Sequence, residues 1–141
     1  MPRYLLDTNA LSDLMKNPHG PVASKLRALS SSDQYCTSIL VAAELRYGAA
    51  KKGSPILSAR VEQLLQAIEV LPFNNDADRQ YSQLRADLER RGTLIGGNDM
   101  LIAAHALAAN CVLVTANVQE FSRVRGLKVE NWETPPRHSR R

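Results

Sequence analysis

Two hydrophobic periods interleave along this chain. Short apolar runs stop at turn residues, and between them lie longer stretches in which apolar positions recur three or four residues apart. The first run, Tyr4-Leu5-Leu6, is halted by Asp7-Thr8-Asn9 and reads as a buried strand ending in a turn. Thr8 or Asn9 then caps a short helix through Leu11 and Leu14 to Met15. A turn over residues 17–21 leads to a helix over 22–29, and residues 34–37 suit a brief strand. Ser38 is placed to cap a helix running from Ile39 to Lys52, which Gly53 ends. Pro55 opens the next helix, to about Glu69, where its missing N–H costs nothing. The strand predicted over 70–73 contains Pro72, which suits an edge. Residues 76–91 are amphipathic, with Tyr81, Leu84 and Leu88 on one face, and residues 92–97 break the pattern. Asp99 opens an alanine-rich helix to Ala109, and Asn110 stops it. Cys111 to Val114 is the clearest buried strand, followed by a helical turn over 121–124 and a last strand over 127–130.

Strands alternating with helices predict an α/β fold in three layers, α/β/α, with a central parallel sheet covered on both faces. At 141 residues the chain suits one domain with a real core. That domain is expected to span 1–134, with residues 135–141 a basic, disordered tail. The net charge of +4 favours a polyanionic partner, although the tail arginines 137, 140 and 141 supply part of it. Aromatic residues make up 5%, too few for a platform on which single-stranded bases stack. Cys36 and Cys111 lie in apolar stretches without a CxxC pair, which predicts buried free thiols and neither zinc nor a disulfide. No charged-then-apolar leader and no membrane-length run is present, so a cytoplasmic protein without a membrane partner is expected.

Three acids stand at the edges of apolar runs: Asp7 in YLLDTNALSDL, Glu44 in SILVAAELRYGA and Asp99 in LIGGNDMLIAAHALA. A carboxylate so placed is held rigidly while its oxygens reach solvent, and three converging would make a hard-oxygen site for Mg²⁺ or Mn²⁺. In open α/β sheets, sites form beyond the carboxyl ends of strands. Asp7 follows one strand, and Thr115 and Asn117 follow another. Each acid has a blander reading: Asp99 or Asn98 as a helix cap, Asp7 as a turn former, Glu44 as a solvated helix residue. All three in one chain, in these contexts, favour the site. His105 stands six residues from Asp99, off the shared helical face, while His19 and His138 lie in a turn and the tail. Ser38 has no nucleophile-elbow pattern, and GTLIGGND lacks the lysine of a phosphate loop.

With YLLDTNALSDL, SILVAAELRYGA, LIGGNDMLIAAHALA and LVTANVQEFSRVRGLKVENW in the same order, the chain resembles PIN-domain ribonucleases, specifically VapC-type toxins of bacterial toxin–antitoxin pairs. Each segment alone is weak; the set is specific. The resemblance implies a small α/β/α domain, usually a homodimer, with Mg²⁺ or Mn²⁺ in an acidic pocket. It also implies endonucleolytic cleavage of tRNA or rRNA, restrained by a cognate VapB-type antitoxin. By motif position, Asp7, Glu44 and Asp99 match the metal-binding acids. Many relatives carry aspartate where this chain has Asn117, which puts the second metal in question. Glu120 could supply that charge, or Asn117 could ligate through its amide or through a water.

Under this reading the cation lowers the pKa of a water and stabilises the phosphoryl oxygens, leaving 5′-phosphate and 3′-hydroxyl ends. Thr8, Asn9 and Thr115 are expected to orient the acids or the water, and Arg46, Arg85 and Arg90 are candidates for backbone contact, against a solvated-surface reading. The apolar surface around Leu11, Leu14 and Met15 is the expected antitoxin groove. A phosphatase with Asp7 as nucleophile would want an acid at Asn9, and a DNA 5′-nuclease would want a helical arch or long basic insertion. A degenerate, non-catalytic RNA- or antitoxin-binding module is the remaining alternative, favoured by Asn117 alone.

Overall fold

The structure, a computed structural model, describes residues 2–74 and 76–133. The expected basic tail over 135–141 lies outside the described residues. Five strands form one parallel sheet in the order β3-β2-β1-β4-β5. They are β1 (Arg3–Leu6), β2 (Gln34–Ser38), β3 (Glu69–Leu71), β4 (Val112–Val114) and β5 (Val129–Glu130). Helices α1 (Thr8–Lys16), α2 (Pro21–Ala28), α3 (Ile39–Lys52), α4 (Pro55–Ala67), α5 (Ala77–Arg90), α6 (Gly97–Ala108) and α7 (Val118–Phe121) connect them. This is the α/β/α architecture that the alternation predicts.

The central strand is the most apolar because it has neighbours on both edges and helices on both faces. Leu5 and Leu6 are fully buried, as are their partners Leu113 and Val114 in β4. Each such side chain contributes about 1.5–3 kcal/mol by leaving water. The strand with Pro72 beside it is indeed an edge, paired only to β2 through Cys36–Glu69, Thr37–Val70 and Ser38–Leu71, and it ends before the proline. Helix α6 is buried through its middle, Ile102 to Ala106, and its alanines allow close approach to β4 and to α5.

Several boundaries differ from the pattern reading, each for a local reason. Asp7, not Thr8 or Asn9, caps α1, its carboxylate accepting the N–H of Ala10 at 3.1 Å. Helix α6 starts two residues before Asp99, with Gly96 as its cap, so neither Asn98 nor Asp99 serves as a cap. The short helix α7 lies over 118–121, upstream of the expected turn, and β5 is confined to two residues. Ser38 does cap α3, and Gly53, at φ 64°, ends it in the left-handed conformation that glycine adopts without strain. Cys36 and Cys111 are buried and free, their sulfurs 4.0 Å apart.

Strand order turns at β1: the chain winds outward one way through β2 and β3, and the other way through β4 and β5. The carboxyl ends of β1 and β4 therefore stand side by side at a topological switch point, where a crevice is expected. Asp7 and Thr115 occupy that position.

Candidate active site

A cleft of about 380 Å³ opens at this switch point, lined by Asp7, Thr8, Asn9, Glu44, Tyr47, Asp99, Ile102, Asn117 and Phe121. Three acids that are far apart in sequence thus share one wall. Asp7 arrives directly from β1, where its N–H bonds to the Val114 carbonyl at 3.0 Å. Glu44 projects from the second turn of α3, and Asp99 from the first turn of α6.

Asp7 is nearly buried. Burial pushes its carboxyl above the ordinary range, opposed by hydrogen bonds from the Thr115 hydroxyl and from the N–H groups of Ala10 and Asn9. Nearby Glu44 adds repulsion in the same direction as burial. Asp99 is pushed up to about 7, first by burial, then by its hydrogen bond and charge interaction with Glu120, and by the charges of Glu44 and Asp7. The α6 N-terminus favours an anion by only about 0.3–1 kcal/mol. Crowding of like charge outweighs it.

Glu44 is held from two sides: the Thr8 hydroxyl donates to one carboxylate oxygen and the Asn98 amide to the other. Those bonds tie α1, α3 and α6 together at the cleft. Asn117 presents its amide nitrogen to Glu120 at 3.0 Å, and its backbone N–H bonds to the Thr115 hydroxyl, also at 3.0 Å. Glu120, held by the Asn117 amide, thus places a carboxyl group beside Asp99 where Asn117 itself offers only an amide.

Neither the bond from Asn98 to Glu44 nor the place of Tyr47 in the cleft was legible in the sequence. Asn98 reads as a cap candidate because it precedes Asp99, and Tyr47, at 65% exposure, reads as an unremarkable surface aromatic. Helical spacing between Glu44 and Tyr47 is the one signal that puts the ring on the carboxylate's face. His105 is outside the cleft, buried and bonded to Ser38 at 2.7 Å.

Among the described residues, no three carboxylate, imidazole or thiolate groups stand in a ready-made ligating arrangement. Glu44 and Asp99 are instead engaged with Thr8, Asn98 and Glu120. The donor chemistry still fits a hard divalent cation. Every acid is an oxygen donor, no thiol or imidazole lines the cleft, and the crowding that raises Asp99 is what a cation would relieve. Asp7, Glu44 and Asp99 could hold it, with Glu120 beside them.

A second depression adjoins the cleft and shares Thr8 and Glu44 with it. It runs between α1, α3 and α4, over Met15, Leu45, Ala49, Leu57 and Val61, with Lys16 and Lys52 at its margin. Leu11, expected in such a groove, is fully buried in the core instead. Of the arginines considered for backbone contact, Arg46 is paired to Glu62 at 2.9 Å, and Arg85 to Glu89 at 3.3 Å.

The family model described as "PIN domain" matches residues 4–127. Ribonuclease VapC2 of Rickettsia felis is 36% identical over 131 residues, covering 92% of this chain and 98% of that one. The tRNA(fMet)-specific endonuclease VapC of Salmonella typhimurium is 36% identical over 133 residues, covering 94% and 99%. In three dimensions the chain is similar to the crystal structure of VapBC2 from Rickettsia felis bound to a promoter DNA fragment, with a TM-score of 0.86 at 35% identity, covering 92% of this chain and 98% of that chain. Among the described residues, no helix is long and apolar enough to cross a membrane.

Proposed function

We propose that this chain, which belongs to the PIN-domain family and to its VapC type, is a Mg²⁺- or Mn²⁺-dependent endoribonuclease toxin acting on tRNA or rRNA in the cytoplasm. The observation that carries the reading is the convergence of Asp7, Glu44 and Asp99 on one cleft at the sheet's switch point. The relative named as a tRNA(fMet)-specific endonuclease supports tRNA as the first substrate to try.

Asp7, Glu44 and Asp99 would hold the cation, with Glu120 and Asn117 completing the acidic wall. When bound, the cation supplies Lewis-acid stabilisation of the phosphoryl oxygens and activates water. Thr115 aims Asp7 and opposes the rise that burial causes, because its hydroxyl donates to the carboxylate. Thr8 and Asn98 do the same positional work for Glu44. Asp99, pushed up to about 7 by burial and by its neighbour Glu120, must lose its proton before it can serve a cation. Nothing in this arrangement uses the ribose 2′-hydroxyl, so the products carry 5′-phosphate and 3′-hydroxyl ends.

The groove between α1, α3 and α4 suits an antitoxin segment with an apolar helix face, because it runs into the acidic cleft at Thr8 and Glu44. A cationic residue at the end of such a segment would reach the carboxylates and exclude the metal. Solved relatives that are VapBC complexes support a VapB-type partner. A homodimer is part of the same proposal.

The test is incubation of purified tRNA and rRNA with the protein and Mg²⁺ or Mn²⁺, beside Asp7→Asn. Discrete metal-dependent products with 5′-phosphate ends, from the native protein alone, are the expected result. Identical products from both proteins would overturn the site assignment; 2′,3′-cyclic phosphates would overturn the mechanism. Absence of metal binding at millimolar Mg²⁺ would favour the degenerate module instead.

A further inference from the structure

Asp87, on α5, sits among more positive charge than it can neutralise. Arg91 donates from Nε to its carboxylate at 3.0 Å, Arg125 approaches at 3.5 Å, and Arg90 at 4.0 Å. Arg91 also donates to the backbone carbonyl of Arg123 at 2.7 Å, and Arg123 donates to the carbonyl of Leu94 at 3.2 Å. Three guanidinium groups from the end of α5 and the segment after α7 are gathered on Asp87, and a fourth, that of Arg123, extends from the same segment to Leu94. Among the described residues Arg90, Arg91 and Arg125 share this one carboxylate, the neighbouring Glu89 being engaged by Arg85. Three positive charges against one leave a local excess of two at Asp87.

A structural ion pair needs one arginine, or two. The further ones repel each other, and the fold nevertheless holds two of them in place. Arg91, at 29% side-chain exposure, is braced against Asp87 and the Arg123 carbonyl, and Arg123 is braced against Leu94. Arg90 and Arg125 extend into solvent at 72% and 74%. Two braced and two solvent-extended guanidinium groups on one ridge are the chemistry of phosphate recognition, where planar forks meet anionic oxygens. The ridge also lies along segments that enter the cleft. Phe121 lines the cleft and Arg123 follows two residues later, while Leu94 precedes Asp99 by five.

An acidic cleft repels a polyanion, so an attractive surface must lie beside it. We propose that Arg90, Arg91, Arg123 and Arg125 form the platform that holds the RNA backbone next to the cleft, with Arg90 and Arg125 touching phosphates and Arg91 and Arg123 fixing the ridge. This rests on the ribonuclease reading for the identity of the polyanion. It also separates these arginines from Arg46 and Arg85, whose charge is matched one to one by Glu62 and Glu89.

The experiment measures binding of purified tRNA by the full chain in EDTA, where no cleavage occurs, across a series of salt concentrations. The double variant Arg90→Gln/Arg125→Gln, altering two solvent-extended side chains, is compared with Arg79→Gln, an equally exposed arginine near the other end of α5. The double variant is expected to bind about tenfold more weakly at 0.1 M salt, and its slope of log K against log salt to fall by about 1.4–1.8, as loss of two phosphate contacts requires. Arg79→Gln should change neither. Unchanged affinity and slope in the double variant, with tRNA bound by the native chain, would overturn the platform. Metal-dependent cleavage by the native chain and not by Asp7→Asn would leave the nuclease reading standing in that case. A native chain that neither binds nor cuts RNA would overturn both. A double variant altered only in its oligomeric mass would assign the ridge to a protein contact, which also overturns the proposal.

Discussion

Asp7 and His105 are about equally buried, at 5% and 3% exposure, yet they sit in opposite electrostatic settings. His105 bonds to the Ser38 hydroxyl and to the Pro72 carbonyl, and the Phe73 ring meets it edge-on at 5.4 Å. Burial holds its ring below the ordinary pKa, so it rests neutral with its hydrogen bonds made. Asp7 shares its cleft with Glu44 and Asp99, and the carboxyl groups of Asp7 and Asp99 both lie above their ordinary range. Buried polarity in the first region is settled by neutral partners. In the second it is left in conflict, which a proton on Asp99, or the proposed cation, would relieve. That difference, more than burial itself, separates a structural polar residue from a functional one.

The largest expected effect tests the conflict directly. Under the proposed function, Asp99→Asn should cut the rate of tRNA cleavage by about a hundredfold or more, since it would remove a donor to the cation. The same substitution should raise the melting temperature of the metal-free protein at pH 8, because one of the crowded charges is gone. Initial rates and thermal melts on one preparation check both. A variant that loses activity and stability together would erase the contrast with His105. The mirror experiment is His105→Ala, expected to cost about 2–4 kcal/mol of stability in urea titration through a lost hydrogen bond and a cavity. Cleavage per folded molecule should stay as in the native chain.

A smaller effect is expected from Thr8→Val, which keeps the shape but removes the donor to Glu44. Cleavage should fall by about tenfold, as for other residues that orient a metal-binding group. The smallest effect comes from pH. Asp99 rises from its ordinary 3.8 to about 7 on folding, so the folded state binds the extra proton between these values and stability declines as pH climbs through them. His105 runs the other way: its lowered pKa means the unfolded chain binds the proton near pH 6.5, and stability climbs as pH rises toward that value. Between pH 5 and 8 the metal-free native chain should show partial cancellation, and Asp99→Asn should make the rising contribution of His105 more prominent, Asp7 still opposing it. Mn²⁺ should raise the melting temperature by roughly 5 °C more at pH 8 than at pH 5.5. Equal stabilisation at both would mean that Asp99 does not bind the cation.

Pattern reading recovers what depends on one segment at a time. The buried runs of β1 and β4, the cap at Ser38, the stop at Gly53 and the three acids at run edges are all local signals. It fails where a partner is distant in sequence. Asn98 meets Glu44 across 54 positions, and nothing near Asn98 announces this. The arginine ridge is hidden for the same reason, because Arg91 and Arg123 become neighbours only when the end of α5 lies beside the segment after α7. Asp7 shows a further limit. A single carboxylate both caps α1 and lines the cleft, so the turn reading and the site reading are not alternatives. The short α7 and β5 are set by tertiary packing around Phe121 and Val129, which local propensity does not report.

The position of β1 at the centre of an all-parallel sheet has a consequence for protein synthesis. Its neighbour β4 is made last but one, and Asp7 meets the Val114 carbonyl and the Thr115 hydroxyl only when that strand arrives. At about 5–20 residues per second, roughly 5–20 s separate translation of these positions. A ribosome that stalls midway therefore releases a chain with its first acid in place and no wall to set it against. If the proposed activity holds, the chain is inert toward the cell's RNA until its own translation is nearly complete.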